Sequence, residues 1–486
     1  MVNINNTYTK KHFTAQNTKI VATLGPASDS EEMLYELAKA GVNIFRINFS
    51  HGTHEQHLQT IQKIKALNEQ HGFHIGILTD LQGPKLRIGK VEGETIPISK
   101  GDRIRFVNTE CLGNKDRVYM SYEQFPLDVK PGEKVMLDDG KVVMKVIETN
   151  GKDEVMLEVT HGTELSSNKG VNLPDTNVSL PCLTEKDLQD LDFILSQPVN
   201  WIALSFVRKA KDIKDLRAII ESKNHPAKII AKIEKPEAVD NIGKIIKASN
   251  GIMIARGDLG VEMPIEKLPG IQKMIIKKCI QRARPVIVAT QMLDSMITNP
   301  TPTRAEATDV ANAVLDGADA LMLSGETSVG RDPVGVVNAM NRIVREAEKD
   351  YSINNNRPVP NTKSSTFASD VICFNAAKTA EDLKANAIIG MTLSGYTAFK
   401  MSSYRPSVKI YIFSERPYML ATLNLVWGVK CYYYDKFTTT NETIKDVISI
   451  LIDKQHVHSG DTIINTGTMP LIERGMTNFL KVTFVK

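Results

Sequence analysis

Eight short apolar stretches, each followed by a helix-length segment, constrain this chain more than any other feature. They are Ile20 to Leu24, VNIFRIN, IGILTD, WIALSF, KIIAKIE, GIMIAR, PVIVAT and ADALML, spread over residues 18–85 and 172–345. Their β-branched, nearly unbroken apolar character suits parallel strands covered on both faces. Eight βα units favour closure into a (β/α)8 TIM barrel over an open sheet. The first helix is expected to open at Ser28, with Glu31 three residues on as a capping box, and to close near Gly41. The second places Leu58, Ile61, Ile64 and Leu67 on one helical stripe.

At 486 residues the chain exceeds one ordinary core, and two segments break the barrel rhythm. Residues 86–171 alternate polar and apolar, with Asp139-Gly140 and Asn150-Gly151 as hairpin signals. They predict an all-β domain inserted after strand three, placed to overhang the rim as a lid. A polar linker at 346–364 leads to residues 365–486, where AIIGMT, VKIYIF, VKCYYY, DTIINT and FLKVTFV predict a C-terminal α/β open-sheet domain. Residues 1–17 read as a polar N-terminal arm without a signal peptide's apolar stretch.

Several function classes drop out. With 60 basic and 56 acidic residues the net charge is +4, so no nucleic-acid partner is expected. No long apolar run predicts a membrane span. The five cysteines are scattered, as in reduced thiols of a cytoplasmic protein. There is no GxxxxGK[ST] loop and no protein-kinase signature. His51, His54 and His57 lack the HExxH spacing of a zinc helix, and three-residue steps drift around a helix axis.

Barrel enzymes gather reacting groups at strand C-terminal ends. Here those ends carry Arg46, Asn48 and Ser50, then Asp80, Lys232 and Glu234, Arg256 and Asp258, Thr290, and finally Ser324 and Glu326. Cations, carboxylates and hydroxyls on one rim fit an anionic, phosphate-bearing substrate held with a metal. Glu234 and Asp258 offer the few hard oxygens with which Mg2+ is commonly bound. A plain alternative pairs Glu234 with Lys232 or Lys235. Lys232 is open to two roles, phosphate binding or Schiff-base formation as in barrel aldolases.

At this level the motifs resemble one family. KIVATLGPAS, FRINFSHG, SFVRKAKDI, AKIEKPEAVDNI, IMIARGDLGVE, VIVATQMLDSM, PTRAEATDVANAV, LMLSGETSVG and KGVNLP are similar to pyruvate kinases, as are NTGTMP and TNFLKV near the end. The resemblance implies transfer of phosphate from phosphoenolpyruvate to ADP, giving pyruvate and ATP, with Mg2+ (or Mn2+). It implies that Arg46 and Lys232 bind the transferring phosphate and that Glu234 and Asp258 hold the metal. Arg256, Gly257, Asp258 and Thr290 would form the substrate pocket, and a water relay near Thr290 and Ser324 would protonate the enolate. Asn48, Ser50, His51, Arg87 and Lys169 fall on the family's nucleotide site. A cytoplasmic homotetramer is also implied.

One departure concerns K+. Many relatives carry Thr-Lys-Gly-Pro-Glu after the strand-three Asp, whereas this chain reads Asp80-Leu81-Gln82-Gly83-Pro84-Lys85. In the K+-dependent pattern, positions matching Asn48, Ser50 and Asp80 hold the ion. Lys85 in place of Glu predicts catalysis without K+. In the C-terminal domain, Thr392, Ser394, Gly395 and Thr397 resemble an effector-phosphate loop, for a sugar phosphate or AMP. Leu393 and Tyr396 replace basic residues that some activated relatives carry there. Two rivals are another barrel enzyme acting on phosphoenolpyruvate or pyruvate, and a catalytically dead scaffold.

Overall fold

The computed structural model describes residues 16–349, 357–436, 439–469 and 476–486. Most of the expected N-terminal arm and residues 350–356 of the expected linker lie outside them. Eight parallel strands close a barrel in chain order: Lys19–Thr23, Ile44–Asn48, Gly76–Asp80, Trp201–Leu204, Lys228–Ile233, Gly251–Ala255, Val286–Ala289 and Ala320–Leu323. Closure comes from strand eight pairing with strand one, Lys19 opposite Ala320.

Period-two alternation explains the unbroken apolar strands. Val21, Ile44, Leu78, Trp201, Ile230, Met253 and Ile287 fill the barrel interior. Their neighbours Ile20, Phe45, Ile77, Ile202, Ile229, Ile252 and Val288 pack outward under the helices.

The first helix runs Glu31–Ala40, and its cap is Ser30, which accepts from the Met33 amide. Ser28 instead accepts from the Gly25 amide at 3.1 Å and shapes the turn before the helix. The expected cap was therefore two residues early, because two serines flank the same turn. Gly41 closes the helix at φ 115, in the left-handed region. The second helix, His54–His71, buries His57, Ile61, Ile64 and Leu67. Leu58 is only half-buried, and His57 replaces it on the inner stripe, packed on Phe49 with ring centroids 4.2 Å apart.

Between strands three and four, residues from Leu86 to Leu173 enclose a separate core around Ile104, Phe106, Val118, Met144 and Leu157. Six of its strands form one sheet. Asp139 and Gly140 take positive φ (55 and 88) at one hairpin, as a primed turn requires. After the barrel, five strands order as Val429–Tyr433, Lys409–Ser414, Ala387–Met391, Thr462–Gly467 and Phe479–Phe484. All pairs are parallel except the last, where Thr462 opposes Phe484.

This C-terminal sheet domain caps the barrel at the N-terminal ends of the strands. Leu425 and Phe399 pack into the interior cluster. Trp201 Nε1 donates to the Thr422 carbonyl at 3.2 Å, and Arg405 pairs with Asp319 at 3.2 Å. One end is thus plugged, and the opposite rim is left for chemistry. All five cysteines are free thiols. Among the described residues no helix is long and apolar enough to cross a membrane.

Candidate active site

Four charged side chains from strands two, three and five meet at the rim. Asp80, 1% exposed, accepts from Arg46 Nε at 2.8 Å and Nη2 at 2.6 Å. Its other oxygen faces Lys232 Nζ at 3.2 Å. Arg46 is further fixed by a 3.0 Å bond from Nη1 to Thr23 Oγ1. Burial opposes the Asp80 charge, but Lys232 and Arg46 outweigh it and hold the carboxyl below its usual range.

Lys232 Nζ also reaches Glu234 Oε1 at 2.9 Å and Ser205 Oγ at 2.7 Å. Burial alone would strip its proton, yet Asp80 and Glu234 overcome that and push its pKa above the ordinary lysine value. A Schiff base needs a neutral amine. The ion pairs to Asp80 and Glu234 favour the charged form of Lys232, which suits an anion-binding role.

Glu234 is equally buried, and its second oxygen accepts from the Phe206 amide at 2.7 Å. Phe206 adopts φ 53 to present that amide. Burial and nearby Asp258 raise the Glu234 pKa, against the pull of Lys232. Asp258 lies in the first turn of helix Arg256–Glu262, half-buried, with no ion pair among the described residues. It lines a cleft between barrel and inserted domain, together with Lys85, Asp139, Phe206, Arg208 and Lys235. Two neighbouring oxygen donors, one of them without a cationic partner, fit a hard divalent cation.

Strand seven ends in strain. Thr290 and Gln291 both take positive φ (70 and 53). The turn lets Thr290 Oγ1 accept from the Gly257 amide at 2.7 Å and donate to the Ala289 carbonyl at 2.6 Å. The Arg256 guanidinium is spent on Asp309 (2.7 Å) and the Thr290 carbonyl (2.8 Å). It braces this corner, so the groups it leaves for a ligand are backbone amides. Glu326 does not join the rim. It is 1% exposed and accepts from the amides of Ser324 (2.6 Å) and Leu293 (3.1 Å), linking the last two strand ends.

Asn48 turns its oxygen to the Ser50 amide at 3.1 Å, and His51 follows, exposed, on the same loop. Arg87 and Lys169 lie together on the inserted domain, where Arg87 bridges to Gly170. Arg87 donates to the Asn168 carbonyl at 3.0 Å, and Lys169 pairs with Asp138 at 2.9 Å. Leu81, placed at the cation site from sequence, turns its side chain into the core, because the strand's alternation continues one residue further. Only its carbonyl reaches the rim, accepting from Ser205 at 2.6 Å. Lys85 is exposed along the cleft, with no ion pair among the described residues. His54 pairs with Asp190 at 2.7 Å, and no group of three metal-ligating side chains occurs among the described residues.

In the C-terminal domain, Thr392 Oγ1 accepts from the Gly395 amide at 2.9 Å, and Gly395 (φ 84) caps helix Tyr396–Ser403. Ser394 accepts from the Tyr396 amide at 3.4 Å, and Thr397 shares a hydroxyl bond with Thr477 at 2.7 Å.

Sequence reasoning missed Ser205, which ends strand four in the same layer as Asp80 and Lys232. Its position at a strand end was the available signal. It also missed Asp309 and Thr23, the anchors of Arg256 and Arg46, for which the sequence carries no local cue.

Two family models cover the chain, "Pyruvate kinase, barrel domain" over residues 15–337 and "Pyruvate kinase, alpha/beta domain" over 370–483. The chain belongs to the pyruvate kinase family. It is 42% identical to the pyruvate kinase of Corynebacterium efficiens over 468 residues, 96% of this chain and 97% of that enzyme. Identity to the pyruvate kinase of Clostridium perfringens is also 42%, over 475 residues, 96% and 99% of the two chains. The crystal structure of a pyruvate kinase from Cryptosporidium parvum superposes with TM-score 0.91 at 35% identity, covering 97% of this chain and 96% of that one. The chain is therefore an enzyme of the phosphotransferase class, and the pyruvate kinase matches extend over both the rim and the C-terminal sheet.

Proposed function

We propose that this chain transfers the phosphoryl group of phosphoenolpyruvate to ADP, giving pyruvate and ATP, with Mg2+ as the divalent cation and without need of K+. The observation that carries the reading is the buried Arg46–Asp80–Lys232–Glu234 cluster beside Asp258. Arg46 and Lys232 present fixed positive charge to the phosphoryl group as its bond to the enol oxygen breaks and a bond to the ADP β-phosphate forms. Glu234 and Asp258 are the residues that would hold Mg2+, which supplies charge neutralisation between the phosphates when bound. The Asp258 amide receives the substrate carboxylate, in a pocket whose Gly257 turn is held by the Thr290 hydroxyl. The enolate then takes a proton at its methylene carbon from a water held near Thr290 and Ser324.

Independence from K+ is supported by the occupancy of its expected ligands. Asp80 already accepts from two cations, and the Asn48 oxygen is spent on Ser50. Lys85, with no ion pair among the described residues, adds an ammonium along the cleft that Asp258 lines. Asn48, Ser50, His51, Arg87 and Lys169 are assigned to the nucleotide, and the inserted domain to a lid over it. We assign the Thr392–Thr397 turn to a phosphorylated effector, and the assembly to a cytoplasmic homotetramer. The test is a coupled assay for pyruvate from phosphoenolpyruvate, ADP and Mg2+, with Glu234→Gln as comparison. Turnover by the wild type and its loss in the folded variant are expected. Full activity of Glu234→Gln would overturn the metal assignment, and an inactive folded wild type would overturn the function.

A further inference from the structure

The loop assigned to the nucleotide leaves strand two at Phe49 and enters the second helix at His54. Its middle faces outward: Ser50 is half-buried, and His51, Gly52 and Thr53 are exposed. Gly52 takes φ 82 directly over His57, where an added Cβ would stand 3.1 Å from the ring. The two ends of the loop are held by a distant element, helix Glu185–Ile194.

Lys186 Nζ donates to the Phe49 carbonyl at 2.7 Å and to Asp190 Oδ2 at 2.6 Å. Asp190 Oδ1 accepts from His54 Nε2 at 2.7 Å. One i,i+4 pair thereby spans the loop, with the cation at its entry and the carboxylate at its exit. Phe193, on the same helix, stacks on the His54 ring with centroids 4.5 Å apart and planes 7° from parallel. An ordinary i,i+4 pair lies on a solvated face and contributes little. Asp190 is 4% exposed, so its charge carries a desolvation cost that Lys186 and His54 must offset.

The helix is itself a fixed platform. Asp187, fully buried, accepts from the Gly83 amide at 3.1 Å and from the Thr184 amide and hydroxyl at 2.9 and 2.6 Å. Gly83 lies on the segment that leaves for the inserted domain, and Thr184 on the one that returns. Both roots of that domain are thus tied to the turn from which Lys186 reaches the loop.

We propose that Lys186 and Asp190 are positioning residues for the nucleotide, holding the ends of the Phe49–His54 loop at the separation that presents Ser50 and His51 to ADP. The inference rests on the assignment of Ser50 and His51 to the nucleotide. Both side chains act through the loop. Without them it gains backbone freedom, and ordering it again on binding weakens ADP. The phosphoryl group of phosphoenolpyruvate is assigned to Arg46 and Lys232 on the barrel strands, so affinity for that substrate should be spared.

The test is steady-state kinetics with each substrate varied in turn, beside calorimetric titration of ADP, on Lys186→Met, Asp190→Ala, Asp190→Asn and His51→Ala. KM and Kd for ADP should rise about two- to tenfold in Lys186→Met and Asp190→Ala. KM for phosphoenolpyruvate and kcat at saturating ADP should stay near wild type. Asp190→Asn, which keeps one acceptor for His54, should fall between wild type and Asp190→Ala. Lys186 is exposed, so Lys186→Met leaves the core alone and supplies the answer if Asp190→Ala folds poorly. Equal losses for both substrates would mean a general loosening of the rim and would overturn the brace. Weaker ADP binding in His51→Ala, with wild-type ADP binding in the Lys186 and Asp190 variants, would overturn the brace and leave the nucleotide assignment standing. Unchanged ADP binding in every variant would overturn that assignment and the brace with it.

Discussion

The Lys232 ammonium stands 2.9 Å from Glu234 Oε1, so the cation assigned to the phosphoryl group and a ligand assigned to the metal share one contact. Charge added on either side is felt by the other. Lys232→Gln should therefore lower kcat by about a hundred- to a thousandfold, the usual cost of removing a preorganised electrostatic group. Steady-state kinetics on protein with a native circular dichroism spectrum checks this. A loss confined to KM would mean that Lys232 binds the substrate without stabilising the transition state.

Thr290 holds the carboxylate pocket through one bond to the Gly257 amide. In Thr290→Ala that amide loses its acceptor. The penalty of about 1–3 kcal/mol corresponds to roughly five- to 150-fold in kcat/KM for phosphoenolpyruvate. KM for ADP should change little, and an equal effect on both substrates would count against the assignment.

The inserted domain is tied to the barrel by buried Glu262, which bonds Lys235 at 2.5 Å and Asn172 at 2.7 Å. Glu262→Ala leaves Lys235 unpaired and should cost about 3–5 kcal/mol, while Glu262→Gln should cost less. Denaturant unfolding measures both, and amide hydrogen exchange at residues 171–173 should rise. Wild-type stability in Glu262→Ala would remove the tether.

Lys409 and Lys19 sit at the junction of the barrel and the C-terminal sheet, donating to Asn17 Oδ1 (2.6 Å) and the Val429 carbonyl (2.6 Å). Burial lowers their pKa values to about 7 and about 8, from 10.5. Between those values and 10.5 the unfolded chain binds more protons than the native one, so stability rises with pH from about 7 towards 10. The slope approaches about 1.4 kcal/mol per pH unit for each lysine fully neutral in the native state. Chemical denaturation at pH 7, 8 and 9 should show the rise, and Lys409→Met should flatten it. A wild-type profile flat over this range would contradict the burial of a neutral amine.

The barrel was legible because strand periodicity is local, and β-branched residues announce it. Arg46, Lys232, Glu234 and Asp258 were legible because strand ends point to one rim. What stayed hidden is pairing across long separations. The Arg256 guanidinium is held by Asp309, 53 residues on, a pairing no local signal announces. Glu326 looked like a rim acid, but its own helix turn buries it. Leu81 keeps only its carbonyl at the rim, because alternation turns its side chain into the core. Each depends on side-chain direction, which residue type alone does not fix.

The chemistry proposed for this chain is phosphoryl transfer at a rim whose own cations replace K+. The most direct test is the rate of pyruvate formation from phosphoenolpyruvate, ADP and Mg2+ in Na+ buffer and in K+ buffer, for wild type and Lys85→Glu. Equal, rapid wild-type rates in both buffers and a K+ requirement in Lys85→Glu are expected. Wild-type activity only with K+, or a Lys85→Glu variant as indifferent to K+ as the wild type, would contradict it.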